Sequence, residues 1–239
     1  MIWTLPSPAR GVWVKMPAVE VVEVLAGAGV DFVVIDREHG AIDLRTMTTM
    51  IAVARGLALP VFVRVPGHAP AEVQPALDAG ATGLFVPHVD DKAVARRVVD
   101  ACRFPPVGHR HGSPANRAGD WGAAGLAEVV RRGNDDVTIV AQVETPRAVE
   151  NIDEIIAVPG LDGVFIGPFD LALSSGLSPG STEFRELVTR AEQAVAGRLV
   201  LGGVASGGMT AKGYSFVMVG ADTSLLAGSA RSLMDRGAA

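Results

Sequence analysis

Short apolar runs alternate along the chain with segments in which apolar residues recur every three or four positions. A continuous apolar run is typical of a strand buried on both faces, as in a parallel sheet. The helical spacing, as in Val21, Val22 and Leu25, predicts amphipathic helices between the runs. The runs predict eight strands, at residues 11–16, 31–36, 60–66, 82–87, 137–144, 162–167, 199–204 and 215–220. The regular order of strand and helix predicts an α/β protein with a parallel sheet.

A weak internal repeat supports this order, because residues 29–36, 80–87 and 160–167 share one layout. Each places a glycine where a helix could end in a left-handed residue, followed by a short turn and a buried strand. An open doubly wound sheet is the alternative, but no glycine-rich dinucleotide fingerprint follows the first strand. Eight units can close a barrel without sheet edges. The length of 239 residues agrees with the roughly 250 of a (β/α)8 barrel, so we expect one TIM-barrel domain over residues 1–239.

Two stretches depart from the alternation. Residues 104–122 are rich in Pro, Gly and polar residues, and long ordered loops in compact domains are usually functional. Residues 206–214 are glycine-rich, so only a short helix is expected there. An apolar stripe over residues 225–234 predicts one more amphipathic helix near the C-terminus.

Composition excludes several classes of protein. The net charge of −5 leaves no basic field that would attract nucleic acid. The single cysteine, Cys102, cannot form an internal disulfide, which fits a reducing cytosol. No run of about 18 apolar residues could span a membrane, so we expect a cytoplasmic protein that binds neither membranes nor nucleic acid. Because 49% of the residues are hydrophobic and only 5% aromatic, we expect an aliphatic core and further buried surface in an oligomer.

A carboxylate at the end of the fifth predicted strand and another after the sixth are candidates for a metal site, because the active site of such a barrel lies at the carboxyl ends of its strands. Gln142 and Glu144 are two residues apart, so both side chains point to the same face. Thr145 and Pro146 predict the cap and first residue of a helix. Asp170, in the next loop, could reach the same point. Two carboxylates with open positions suit Mg²⁺ or Mn²⁺.

A competing interpretation has arginines neutralising these carboxylates. Glu144 could pair with Arg64 or Arg147, and Asp170 could cap a turn. Arg64 interrupts an apolar strand and cannot shed its charge, so it needs an anion. That anion is either a substrate carboxylate or enolate, or a structural partner such as Glu38.

Histidine and lysine positions separate the remaining mechanisms. His39 lies three residues after Asp36, a spacing that lets the carboxylate orient the imidazole as a general base, with a structural histidine as the alternative. An all-histidine zinc site is conceivable, but no close two-histidine helical motif occurs. Only Lys15 of three lysines lies at a strand end, and the fifth and sixth strands have none, which favours metal over imine chemistry. The histidines are His39, His68, His88, His109 and His111.

A series of short motifs, in order from about residue 11 to the C-terminus, resembles the hydroxy-oxo-heptanedioate aldolase family. These are class II, metal-dependent pyruvate aldolases related to 2-keto-3-deoxyglucarate aldolase and, more distantly, to the citrate lyase beta subunit. The match is specific as a set, although no single motif is. The motifs are Gly11-Val-Trp13, Ile35-Asp36, Glu38-His39, Val63-Arg64-Val65-Pro66, Leu77-Asp78-Ala79-Gly80, Val86-Pro87, Phe104-Pro105-Pro106, Gln142-Val-Glu144-Thr145, Gly163-Val-Phe-Ile-Gly167-Pro168, Asp170-Leu171 and Val219-Gly220.

The resemblance implies a carbon–carbon lyase that cleaves a 4-hydroxy-2-oxo acid reversibly to pyruvate and an aldehyde through a metal-bound pyruvate enolate. It implies that Glu144 and Asp170 ligate a divalent cation, Mg²⁺, Mn²⁺ or Co²⁺. It implies that Arg64 steadies the enolate oxygen, and that His39, paired with Asp36, handles the hydroxyl proton.

The same resemblance assigns the substrate pocket and the assembly. Gln142 would line the pyruvate site, the backbone at Gly167 and Pro168 would contact the pyruvate carboxylate, and Trp13 would shape the pocket. Asp78 resembles a residue that approaches the site of a neighbouring subunit. The family implies a homo-oligomer, a hexamer or trimer of dimers, in which the last helix packs on a partner barrel.

Three places depart from the family pattern, and all would lie on the aldehyde side. His88 stands where the family commonly has Met or a small residue, residues 109–112 differ in the long loop, and residues 206–213 look shortened. Three alternatives therefore stay open: an oxaloacetate-type decarboxylase using the same site, an isomerase or synthase binding phosphate at Gly202, Gly203 and Gly220, and a catalytically silent binding protein.

Overall fold

All eight predicted strands form one closed parallel barrel in the computed structural model, which describes residues 7–205 and 213–237. Each strand pairs with the next along the chain, and the eighth pairs with the first, which confirms the predicted (β/α)8 fold. The strands are β1 Ala9–Val14, β2 Phe32–Asp36, β3 Val61–Arg64, β4 Gly83–Val86, β5 Thr138–Val143, β6 Gly163–Ile166, β7 Val200–Val204 and β8 Phe216–Ala221. The first strand begins two residues earlier than predicted because Ala9 pairs with Phe216 of β8.

Helices follow the strands as the apolar spacing predicts. They are α1 Glu20–Gly27, α2 Leu44–Gly56, α3 Pro70–Asp78, α4 Lys92–Cys102, α5 Leu126–Arg131, α6 Pro146–Glu150, α7 Ile152–Ile156, α8 Pro168–Ser175, α9 Thr182–Val195 and α10 Asp222–Gly237. Side chains of Asp43, Asp91, Thr145 and Ser181 cap four of them by accepting a backbone N–H, and Thr145 is the cap that the sequence predicts. The predicted final helix is α10, whereas the short helix expected near residues 206–214 falls mostly outside the described residues.

The predicted long loop over residues 104–122 is irregular up to a 3-10 turn at Asp120–Gly122. It is followed by α5 and a π-helical segment, Arg132–Asp136, which the sequence analysis did not predict. No helix within residues 7–205 and 213–237 is both long and apolar enough to cross a membrane. A single domain over residues 1–239 stays a prediction.

Aromatic rings fill the barrel lumen, in contrast to the aliphatic core expected from composition. Of the eight phenylalanines, five pack in one cluster inside the barrel. Most of their ring pairs meet edge to face, with centroids 5.6 to 5.8 Å apart, a favourable geometry for aromatic pairs. The aliphatic residues instead form the layer between the strands and the helices. The five are Phe32, Phe62, Phe85, Phe165 and Phe216.

Two strand glycines make room for these rings. A Cβ at Gly11 would overlap the ring of Phe32, and one at Gly202 would overlap the ring of Phe216. Since Gly202 has this packing role, its presence needs no phosphate ligand to explain it. The packed lumen closes the barrel below the carboxyl ends of the strands, where the polar residues lie.

Candidate active site

A cavity of about 550 Å³ opens at the carboxyl ends of the strands. Pockets of this size are typical of small-molecule sites. Its wall includes residues that follow or end five different strands: Trp13, Lys15, His39, Arg64, Glu144, Gly167, Pro168 and Asp170. The structure thus brings together seven of the site residues predicted from sequence, and adds Lys15.

Arg64 is the most firmly held cation of this cavity. Its Nε lies 3.0 Å from Asp36 Oδ1 and its Nη2 lies 2.5 Å from Asp36 Oδ2, a bidentate pair. The guanidinium also lies 4.4 Å from the ring centroid of Trp13, and Trp13 packs edge-on against Phe85 and Phe165 of the lumen. Trp13 therefore forms the floor between the aromatic core and the polar site, and Arg64 lies upon it.

The spacing of Asp36 and His39 predicts that the carboxylate orients the imidazole. In the structure, the carboxylate of Asp36 binds other groups instead. Asp36 Oδ1 accepts the backbone N–H groups of Glu38 and His39, each at 3.1 Å, and the rest of the carboxylate faces Arg64 and Lys15. Burial by itself would raise the pKa of Asp36. The hydrogen bonds and charge of Arg64 outweigh that effect, with smaller contributions from the His39 backbone N–H and Lys15, so the pKa of Asp36 lies below its ordinary value. The imidazole Nε2 of His39 instead lies 3.9 Å from Glu38 Oε2.

Glu38 joins the site although sequence reasoning treated it only as a possible partner of Arg64. Its Oε2 lies 3.2 Å from Arg64 Nη1, and its Oε1 lies 3.5 Å from His88 Nε2. Burial raises the pKa of Glu38 above its ordinary value, while Arg64 and His88 oppose that rise. Its spacing of two residues from Asp36, just past β2, was the available signal.

Glu144 follows β5, and no arginine among the described side chains holds it. Gln142 Nε2 donates to its Oε1, and the backbone N–H of His88 donates to its Oε2 at 3.4 Å. Arg147 pairs with Asp91 at 2.7 Å instead, so neither arginine proposed as an alternative partner neutralises Glu144. Burial, followed by the negative charge of Glu38, raises the pKa of Glu144.

Asp170 lies in the first turn of α8 and faces the same cavity. Among the described side chains, those of residues 7–205 and 213–235, none forms an ion pair with Asp170 or Glu144. Four carboxylates, those of Asp36, Glu38, Glu144 and Asp170, share the site with two basic side chains among the described residues, Lys15 and Arg64. This excess of negative charge fits a bound dication.

Oxygen ligands also fit the metal by their chemistry. Among the described residues, no group of three or more His, Cys, Asp or Glu side chains is placed so that it could hold a metal ion. Two carboxylates leave coordination positions for water and substrate, as Mg²⁺ and Mn²⁺ prefer. Gln142 Oε1 is buried beside Glu144 without a hydrogen-bond partner, an acceptor that a ligand water could satisfy.

The turn between β6 and α8 lets Glu144 occupy its position. A Cβ at Gly167 would come within 2.9 Å of Glu144 Cγ, so only glycine leaves room for that side chain. Pro168 begins α8, where its missing N–H costs no hydrogen bond. The backbone at Gly167 and Pro168 therefore lies at the cavity wall beside the candidate metal carboxylate.

Asp78 lies away from the other predicted site residues of its own chain. It ends α3, which precedes β4, and so belongs to the opposite end of the barrel. Its Oδ1 accepts from Arg110 Nη2 at 2.7 Å, and Arg110 is buried against the Phe104 ring. A role in the site of another subunit stays a prediction.

Known proteins are similar to this chain over nearly its whole length. The HpcH/HpaI aldolase/citrate lyase profile matches residues 10–228. The hydroxypyruvate/pyruvate aldolase of Deinococcus radiodurans is 39% identical over 95% of this chain and 84% of its own. The 4-hydroxy-2-oxo-heptane-1,7-dioate aldolase of Escherichia coli is 36% identical over 96% of this chain and 90% of its own. The crystal structure of an HpcH/HpaI aldolase/citrate lyase family protein from Burkholderia cenocepacia J2315 has a TM-score of 0.88 and 30% identity, covering 98% and 95% of the two chains.

Proposed function

Because this chain belongs to the HpcH/HpaI aldolase/citrate lyase family, we propose that it cleaves a 4-hydroxy-2-oxo acid reversibly to pyruvate and an aldehyde. The relatives named above are aldolases of hydroxypyruvate, pyruvate or a hydroxy-oxo diacid. One observation carries the proposal. Glu144 and Asp170 face one cavity without a cationic partner among the described residues, and Arg64, held by Asp36, lines the same cavity.

Glu144 and Asp170 would hold the divalent cation, Mg²⁺, Mn²⁺ or Co²⁺. When bound, such a cation supplies Lewis acidity that polarises a carbonyl and stabilises negative charge. Gln142 would keep Glu144 in place through its amide donor, since the two side chains already bond to each other.

The pyruvate half would lie between Arg64 and the start of α8. Arg64 donates toward the enolate oxygen, and its two hydrogen bonds to Asp36 hold it in place before substrate arrives. The backbone at Gly167 and Pro168 contacts the carboxylate, while Trp13 limits the depth of the pocket.

His39 would act as the base. Its imidazole takes the proton of the C4 hydroxyl, the C3–C4 bond breaks, and the bonding electrons remain on C3 as the pyruvate enolate while the aldehyde leaves. The same proton returns to C3 to give pyruvate. Glu38, 3.9 Å from the imidazole Nε2, would stabilise the protonated form.

The enzyme would act as a homo-oligomer, a hexamer or trimer of dimers with an exchanged last helix. The support is the apolar stripe that α10 leaves exposed, formed by Leu225, Leu226, Leu233 and Met234. An apolar stripe of this kind is typical of a surface that another subunit covers. Asp78 would approach the site of the neighbouring subunit.

The test is release of pyruvate from 4-hydroxy-2-oxo acids, measured before and after removal of metal with EDTA and after its return. We expect loss on chelation and recovery with Mg²⁺ or Mn²⁺. Glu144→Gln should abolish release, whereas Glu150→Gln, an exposed glutamate on α6, should not change it. Unchanged release without metal would overturn the proposal.

Oxaloacetate serves as the comparison substrate in the same assay. Decarboxylation needs the same residues but no acceptance of a hydroxyl proton by His39. We therefore expect His39→Asn to slow aldol cleavage more than decarboxylation. Turnover of oxaloacetate alone, with no hydroxy-oxo acid cleaved, would assign the decarboxylase activity instead.

A further inference from the structure

Lys15 is a cation of the active-site cavity to which the proposed mechanism gives no task. It is the first residue after β1, and its side chain lines the cavity together with His39, Arg64 and Asp170. The other lysine of the described residues, Lys92, lies exposed at the start of α4. Of these two lysines, Lys15 is therefore the one that could contact a substrate in the active-site cavity.

The backbone at Lys15 is fixed by a buried acid. Asp222, the first residue of α10, is 4% exposed. Its carboxylate accepts the backbone N–H of Lys15 at 3.0 Å and that of Met16 at 2.9 Å. The point from which the lysine side chain projects is thus held by two charge-assisted hydrogen bonds.

The ammonium group itself is held loosely. Its Nζ lies 3.4 Å from Asp36 Oδ2, beyond the 2.7 to 2.9 Å of a charge-assisted hydrogen bond. Asp36 already accepts two bonds from Arg64 and two backbone N–H groups. Across the described parts of the chain, Asp36 is the one acid that forms an ion pair with Lys15. An ammonium has three donors, so donors remain for a ligand.

Lys15 lies on the same side of the barrel as His39, the residue proposed to act on the aldehyde half of the substrate. β1 and β2 are neighbours, so Lys15 and His39 share one wall, while Glu144 and Asp170 follow β5 and β6 on the opposite wall. His39 takes the proton from the C4 hydroxyl, the carbon that leaves as the aldehyde. A substituent on that carbon therefore extends toward the wall that carries Lys15.

We propose that Lys15 binds a carboxylate carried by the acceptor aldehyde, so that the enzyme prefers aldehydes with an acid group to neutral aldehydes of similar size. This inference rests on the proposed function and names the substrate class of that site. A carboxylate pairs with an ammonium more strongly than a neutral hydroxyl does. The cavity rim includes exposed apolar residues, Phe169 and Leu173, which offer no such partner.

The experiment measures the addition of pyruvate to glyoxylate and to acetaldehyde by the metal-loaded enzyme, as kcat and KM for each aldehyde. Lys15→Met removes the charge and keeps the length. We expect it to lower the ratio of the two kcat/KM values, glyoxylate over acetaldehyde, at least tenfold, mainly through the KM of glyoxylate. Lys15→Arg should retain most of that preference, because it restores a cation.

Two controls separate this inference from the proposed function. Lys92→Met should leave both aldehydes unaffected, and exchange of the pyruvate methyl protons with deuterated water reports enolate formation without any aldehyde. If wild-type enzyme fails to exchange these protons, the proposed function and this inference fall together. Two results obtained while exchange proceeds would overturn the role of Lys15 alone. One is that Lys15→Met leaves the ratio of the two kcat/KM values unchanged. The other is that Lys15→Arg lowers that ratio as much as Lys15→Met does.

Discussion

The carboxylate of Asp36 holds the guanidinium of Arg64 at two points, with Nε to Oδ1 at 3.0 Å and Nη2 to Oδ2 at 2.5 Å. The two residues are register partners on the adjacent strands β2 and β3. Because Asp36 also accepts two N–H groups of the following loop, it joins that loop to the cation. The orientation of Arg64 is therefore built into the barrel before any substrate binds.

Arg64→Lys should lower kcat for pyruvate release by about 10²-fold or more, since loss of one preorganised donor to a developing oxyanion has that effect. Lysine keeps the charge but cannot form the planar pair of hydrogen bonds to Asp36. The measurement is steady-state cleavage of a 4-hydroxy-2-oxo acid, with Arg96→Lys, an exposed arginine of α4, as the control. A decrease in kcat of less than threefold would show that a positive charge at this position is enough for catalysis, without the planar guanidinium.

Glu144→Gln and Asp170→Asn should each weaken Mn²⁺ binding at least ~100-fold, because even residues that only support metal ligands contribute about 10- to 100-fold. Calorimetric titration of Mn²⁺ into the substrate-free protein measures this independently of activity. Glu150→Gln should bind Mn²⁺ as the wild type does. If either variant binds Mn²⁺ with wild-type affinity, the residue changed in that variant is not a metal ligand.

Asp36→Asn should destabilise the fold by about 3 kcal/mol at pH 7, since breaking a buried ion pair leaves Arg64 without its main partner. The pKa of Asp36 is lowered in the folded protein. Its contribution is therefore complete above the unfolded-state pKa of about 3.9 and is lost as the pH falls through the folded-state pKa. Urea unfolding of both proteins should give a difference that is constant near neutrality and shrinks below about pH 4. A difference that grows on acidification would contradict this assignment.

Cys102 should resist thiol reagents in the folded protein. The side chain is fully buried on α4, and burial raises the pKa of its thiol to about 12. The reactive thiolate is therefore scarce at pH 8. Labelling with Ellman's reagent should detect no thiol in the native protein and one per chain in guanidinium chloride, and rapid native labelling would contradict the burial.

The alternation of apolar runs and helical spacing was sufficient to predict the barrel. Each of the eight predicted strands occurs within about two residues of its predicted bounds, because a strand buried on both faces needs a continuous apolar run. The segment α5 was not predicted, and it is short, with Leu126 exposed. A short helix with an exposed leucine leaves no clear apolar face in the sequence.

The sequence by itself determined the fold, the side of the strand shared by Gln142 and Glu144, and the set of polar residues that follow the strands, since these depend on local periodicity. Only the tertiary structure decided which charged side chains pair with each other. Arg64 faces Asp36 across one strand pair, and Glu144, two strands away, has no arginine partner in the part of the chain that the structure describes. The pairing of charges depends on distances set by strand register and barrel closure, and no spacing along a single strand contains those distances.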